Sequence, residues 1–276
     1  MSSLSIFSTV TDPIRRGDYW LPAVQCYAEL ADEVILVNGS QYETFTGLPM
    51  NVKLVNNLWP DEFDWSFIGQ QFTRGYQACT SDWVLYADID MLFHETDFSL
   101  IRRVFEDNPN QPAMSFWKYQ FILPDRYNLK SRLVLAINKR ILGDRVKFDS
   151  GGDLCRPSID GVEINPSTAM ESRIPVYNYE KIIKTYSQVS NDVGRMARAW
   201  QRHFGEYKLG GADDESAFDE WAKMTKGRFN KPQQRIDLLK HPQFIIPAIM
   251  NLKPENFGYD GFGMLEVNDY MGGQNA

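Results

Sequence analysis

Two carboxylates one residue apart, Asp88 and Asp90, stand at the end of the stretch SDWVLYADID (81–90), directly after an apolar run and before a return to apolar residues in MLF (91–93). Two hard oxygen donors at a strand end point to one side once the backbone leaves the extended form. Mg²⁺ and Mn²⁺ accept such donors and keep free coordination positions for a diphosphate. The pair is therefore expected to hold a divalent cation that stabilises a diphosphate leaving group. A solvated turn is the plainer alternative, and the position between two apolar runs favours the metal.

The elements that position this pair are legible in the first ninety residues. LSIFSTV (4–10), EVILVN (33–38), NVKLVNN (51–57) and DWVLYA (82–87) read as strands, and YWLPAVQCYAELA (19–31) and FDWSFIGQQFTRGYQACT (63–80) as helices. Strands and helices in turn predict an α/β fold with a mostly parallel central sheet flanked by helices. Ligands of such sheets sit beyond the carboxyl ends of the strands. Thr9, Thr11 and Asp12 follow the first strand, Asn38 and Gly39 the second, and Asp88 and Asp90 the fourth, so they are expected on one rim. Arg15, Arg16 and Arg74 are candidate bidentate partners for a diphosphate.

The second half is more mixed. PAMSFWKYQF (112–121) reads as a strand, YNLKSRLVLAINKR (127–140) as a helix or helix-containing excursion, and RVKFDSGGDLC (145–155) as a strand running into a glycine turn. NDVGRMARAWQRHFG (191–205) and DDESAFDEWAKMTKG (213–227) read as helices, the second opening on acids that suit a helix N-terminus and stopping at Gly227. The excursion 126–147 is basic inside a chain of 276 residues with 29 Lys and Arg against 36 Asp and Glu, a formal charge of −7. That balance excludes a surface that grips nucleic acid throughout, while a local basic face is compatible with an anionic acceptor. Cys26, Cys79 and Cys155 lack metal or redox spacing and read as reduced thiols. No signal-like start or apolar run near the roughly 20 residues of a membrane span occurs, so a soluble, cytoplasmic protein is expected.

Taken in order, SIFSTVTDP, DEVILVNGS, SDWVLYADIDMLFHE, GGDLCRPS and GGADDESAF resemble the nucleotide-diphospho-sugar transferases of the GT-A fold, specifically the family 2-like glycosyltransferases of bacteria and phages. The likeness spans about residues 4–245 and is strongest in the first ninety. Haloacid-dehalogenase-type phosphatases carry DxDx[TV] after a strand, but Leu92 occupies the fifth position here.

The resemblance implies a Rossmann-like GT-A domain over 1–245, with a nucleotide-binding half at 1–95, an acceptor and catalytic half at 96–245, and a C-terminal extension at 246–276. It implies that Thr9, Thr11, Asp12 and Asn38 form the base and ribose pocket, Asn38 replacing a common Asp. Asp90 is the implied direct metal ligand, Asp88 faces the ribose or the metal, and His241 completes the metal shell, tilting Mn²⁺ over Mg²⁺. A loop histidine before proline is the alternative for His241. Asp213 or Asp214, the latter preferred, is the implied base for an inverting transfer, with Gly210 and Gly211 letting the backbone approach the sugar. Helix capping is the alternative role for these acids. The expected activity is metal-dependent transfer of a sugar from a nucleotide diphosphate to a hydroxyl acceptor. The rivals are a phage-type enzyme acting on hydroxymethylated DNA bases and a nucleotide-sugar-binding protein with a decayed site.

Overall fold

The computed structural model describes residues 2–62, 64–206 and 213–265. Its first half follows the expected alternation. β1 (Leu4–Val10), α1 (Pro13–Arg16), α2 (Trp20–Leu30), β2 (Glu33–Asn38), β3 (Val52–Asn56), α3 (Ser66–Ala78) and β4 (Trp83–Tyr86) succeed one another. β3, β2, β1 and β4 lie side by side and parallel. Helices cover both faces of β1, β2 and β4, so these strands are buried along almost their whole length, Leu4, Ile6, Val34, Ile35, Val84 and Leu85 irrespective of alternation and even Ser5 and Ser8.

The second half departs from expectation. After β5 (Met91–Leu92) and α4 (Phe98–Asp107), β6 (Ala113–Leu123) and β7 (Arg126–Asn138) form a long antiparallel hairpin. The sheet continues in the order β3-β2-β1-β4-β7-β6-β11-β5, where β11 is Met170–Asn178. β7 is antiparallel to β4, β11 is parallel to β6, and β5 is antiparallel to β11. The sheet is therefore mixed and not mostly parallel. The helix expected at 127–140 is instead β7, followed only by the single turn α5 (Lys139–Leu142). A short second sheet of β8 (Val146–Ser150), β9 (Arg156–Ile159) and β10 (Val162–Glu163) packs under α3.

Two long helices close one flank. α6 (Tyr186–Phe204) starts in a Thr185–Gln188 capping box, which satisfies its first free amides. α7 (Asp214–Phe229) runs two residues past Gly227. β12 (Gln234–Arg235) then pairs with β7. The last described segment holds α8 (Ile246–Met250) and α9 (Phe257–Asp260). Ile249 joins the main core, while Phe257 and Leu265 pack with Trp221 and Phe218. No helix among the described residues is long and apolar enough to cross a membrane.

Candidate functional site

Backbone at the end of β4 turns sharply, with Met91 N–H donating to Asp88 O at 2.8 Å. The buried Tyr27 of α2 sits beneath, its hydroxyl 2.5 Å from both Asp88 O and Met91 O. One phenol thus holds both ends of the DxD turn. From the far side Tyr179 N–H donates to Asp90 O at 2.8 Å, and Asn178 Nδ2 donates to Asp90 Oδ1 at 2.9 Å. Asp88 accepts from the hydroxyl of Tyr86. The pair is therefore clamped between the end of β4 and the end of β11.

Its electrostatics are those of crowded acids. Burial, then Asp88 and Glu180, push the Asp90 carboxyl up to about 8. Burial also raises Asp88, with Glu180 adding to it, and Tyr86, Lys118 and Arg16 opposing. Like charges gathered in a low dielectric are relieved by a cation, and two carboxylates are a hard donor set that suits Mg²⁺ or Mn²⁺. Asn178 Oδ1, another hard oxygen on the side chain that binds Asp90, is buried with no hydrogen-bond partner among the described residues. No group of three His, Cys, Asp or Glu side chains that could hold a metal occurs among the described residues. Any cation bound here would take from the protein only the Asp88–Asp90 pair, with its remaining positions left to ligand and water.

The polar residues after β1 and β2 do share a rim. Asp12 N–H donates to Ser40 Oγ at 2.6 Å, and Gly39 N–H donates to Val10 O at 2.8 Å. A Cβ on Gly39 would lie 1.9 Å from Trp59 and 2.4 Å from Thr11 Oγ1, so glycine lets these groups close together. Asn38 donates to Asn56 Oδ1 at 3.1 Å and accepts from Ser40 N–H at 2.7 Å, so it braces the rim with its own groups engaged. Thr9 lies in β1 opposite Val37. Asp12 has the left-handed backbone, φ 45°, and pairs with Arg15.

Of the two adjacent arginines, Arg15 projects to solvent, its side chain 77% exposed, while Arg16 turns inward. Arg16 Nε lies 3.1 Å from Asp192 Oδ1, and its charge reaches Asp90. Lys184 Nζ completes this network, 2.6 Å from Asp18 and 2.5 Å from Asp192. Burial opposes ionisation of Asp192, but Arg16, Lys181 and Lys184 hold its carboxyl well below the usual range. The network ties α6 to the loop between α1 and α2. A small cavity of about 20 Å³, lined by Asp18, Asp90, Tyr179, Glu180 and Lys184, separates it from the acid pair.

Four other expected site residues lie elsewhere or in different roles. Arg74 is exposed on α3, eight residues from its start, roughly 12 Å along an axis that runs away from the ligand rim. His241 is buried with both ring nitrogens engaged: Nε2 lies 2.8 Å from Pro124 O, a pure acceptor, and Nδ1 lies 2.8 Å from the Tyr179 hydroxyl. Nε2 therefore carries the proton it donates to Pro124 O, Nδ1 is taken up by the Tyr179 hydroxyl, no nitrogen is free for a metal, and burial lowers the ring's pKa. Asp213 is the N-cap of α7, accepting from Ser216 N–H and Oγ, each at 2.8 Å. Asp214 pairs with Arg198 and rests on Gly194 of α6, where a Cβ would lie 1.9 Å from its Oδ1. Among the described residues no hydrogen bond or ion pair links either acid to Asp88 or Asp90. Gly210 and Gly211 lie outside the described residues.

The acid that does stand beside the pair is Glu180, just after β11. It lines the small cavity with Asp90 and also a larger cleft with Lys118, Lys130, Lys181 and Arg228. Burial raises its pKa, but Lys181, Lys118 and Arg228 outweigh this and keep it ionised. Sequence reasoning missed Glu180 and Lys118. Their only signal was position on or just after the strands that follow the DxD turn, in a region where the topology was misread. The basic excursion is largely consumed within the fold: Arg126 pairs with Asp125, Arg132 with Glu171, and Lys139 with Asp144 and the carbonyls ending α3.

Comparison with known proteins adds little. No protein-family profile and no curated protein matches the sequence. Among solved structures, the fold is similar to TarS of S. aureus, with a TM-score of 0.41 and 9% identity over 83% of this chain and 44% of that one. It is also similar to the bifunctional IspDF from Campylobacter jejuni, with a TM-score of 0.33 and 12% identity over 51% of this chain and 42% of that one. The chain thus spans less than half the length of either structure.

Proposed function

We propose that the protein is a metal-dependent glycosyltransferase that moves a sugar from a nucleotide diphosphate to a hydroxyl acceptor with inversion. The observation that carries this reading is the crowded Asp88–Asp90 pair, held by Tyr27, Asn178 and Tyr179 at the carboxyl end of a parallel strand beside the rim of Thr9, Thr11, Asp12 and Asn38. Asp90, with Asp88, would hold Mn²⁺ or Mg²⁺, which when bound supplies positive charge to the departing diphosphate. All-oxygen ligation does not discriminate between the two metals, and His241 no longer favours manganese.

Thr9, Thr11 and Asp12 are assigned to the nucleoside, with Asn38 and Ser40 fixing the loop that carries them. Of the three arginines considered for the diphosphate, Arg16, inward and near Asp90, keeps that role, and Arg15 and Arg74 do not. Glu180 replaces Asp213 and Asp214 as the general base. It is ionised and adjoins the acid pair, whereas Asp213 caps a helix and Asp214 joins two helices. In the transfer, the acceptor oxygen bonds to the anomeric carbon as the bond to the diphosphate breaks, and the hydroxyl proton passes to Glu180. A single displacement of this kind inverts the anomeric centre.

The test is release of nucleoside diphosphate from a panel of UDP-, GDP-, CDP- and dTDP-sugars with Mn²⁺. Asp90→Asn and Glu180→Gln are expected to abolish turnover, with Glu180→Gln retaining donor binding. Asp214→Asn retaining activity fits the Glu180 assignment, and full activity of Glu180→Gln contradicts it.

A further inference from the structure

The second cleft, about 330 Å³, lies on the other side of Glu180 from the acid pair. Lys118 of β6, Lys130 of β7, Lys181 after β11 and Arg228 of α7 line it, over an apolar wall that includes Trp221 and Met224. Four cations thus face one carboxylate, 4 − 1, a net charge of +3. Among the described residues Lys118, Lys130 and Arg228 have no carboxylate within the 4.0 Å of an ion pair, while Lys181 lies 3.5 Å from Glu180 and 3.7 Å from Asp192.

The register sharpens the point, because Lys118 and Lys130 are direct partners across the β6–β7 ladder. Like charges directly opposite on a sheet destabilise it. They also interrupt a hairpin whose neighbouring cations are paired, such as Arg132 with Glu171. Burial, then Arg228, Lys231 and Lys118, lower the Lys130 pKa, with Glu180 opposing, as expected where several cations share one carboxylate. A tetrahedral oxyanion offers several acceptors to ammonium and guanidinium donors at once, and its charge matches the excess.

We propose that this cleft binds a phosphate group carried by the acceptor, holding the acceptor so that its hydroxyl meets Glu180. The placement on the acceptor side rests on the glycosyltransferase reading. Anion binding by the cleft does not.

The experiment titrates metal-free protein, in EDTA, with inorganic phosphate and pyrophosphate and follows the thermal midpoint, which rises with any ligand of the folded state. Wild type and Asp90→Asn are expected to shift alike. A Lys130→Met, Arg228→Met double variant is expected to fold, with a midpoint no lower than wild type, and to bind at least about tenfold more weakly. Glycerol 3-phosphate and a dinucleotide, run in parallel, distinguish a monoester from a diester by which shift the double variant loses. No shift in wild type, or an equal shift in the double variant, overturns the proposal. Loss of the Mn²⁺–nucleotide shift in Asp90→Asn but not in the double variant keeps the donor reading separate from it.

Discussion

Two charge clusters face each other across one small cavity, and they are built on opposite rules. On one side Asp18 and Asp192 meet Arg16 and Lys184 at 2.5–3.6 Å, so each acid has a cation and Asp192 is held strongly ionised. On the other, Asp88, Asp90 and Glu180 act on one another, and Asp90 is pushed up to about 8. The balanced cluster joins α6 to α1 and the loop after it and supports the fold. The unbalanced one leaves an excess of negative charge that Lys118 offsets only in part, as expected of a site whose remaining counter-charge would arrive with a ligand.

The comparison breaks most visibly at Asp192. Asp192→Ala leaves Arg16 and Lys184 with one acid fewer, and is expected to cost about 3–5 kcal/mol by denaturant titration, the range for removing one partner of a buried ion pair. A loss below the error of the titration would mean that solvent already carries those charges. Tyr27→Phe ranks next: without the hydroxyl the carbonyls of Asp88 and Met91 lose their buried donor, at about 1–3 kcal/mol, and activity falls with stability as the turn relaxes.

The pH response separates the clusters by sign. The folded pKa of Asp192 is depressed, so its contribution is present above the unfolded value of about 3.9 and lost as pH falls through the folded one. The folded pKa of Asp90 is raised, so its contribution is complete below about 3.9 and lost as pH rises toward about 8. Metal-free Asp90→Asn is therefore expected to melt higher than wild type at pH 8–9 and at the same temperature at pH 4. An unchanged alkaline midpoint would remove the crowding argument. The smallest effect belongs to Asp213→Ala, a lost helix cap on an exposed turn, which lowers the midpoint slightly with activity retained.

How much of this was legible depends on what each segment buries. β1 and β2 run 4–10 and 33–38 as read, because strands covered on both faces concentrate apolar residues, Ile6 and Phe7 in β1 and Val34, Ile35, Leu36 and Val37 in β2. The Asp88–Asp90 pair was visible for the same reason, standing where such a run stops. β7 was misread because Leu129, Leu133, Ala136 and Ile137 fall at helical spacing, although Leu129 is 52% exposed on a half-covered hairpin. That error hid Lys118, Lys130 and Glu180, whose meeting depends on the β6–β7 register and on β11 returning beside β6. At 213–214 the acids were seen, but caps and bases share one residue type. Only Ser216 and Gly194 show which role they take here. His241 likewise needed Pro124 and Tyr179, far off in sequence, to show that its nitrogens are spent.

The central claim is that Asp88 and Asp90 hold a cation that binds a nucleoside diphosphate. The most direct measurement is the thermal midpoint with UDP, GDP, CDP and dTDP, each with and without Mn²⁺, for wild type and Asp90→Asn. The account predicts a metal-dependent rise with one nucleotide in wild type and none in Asp90→Asn. A rise that survives Asp90→Asn, or no rise with any nucleotide, contradicts it.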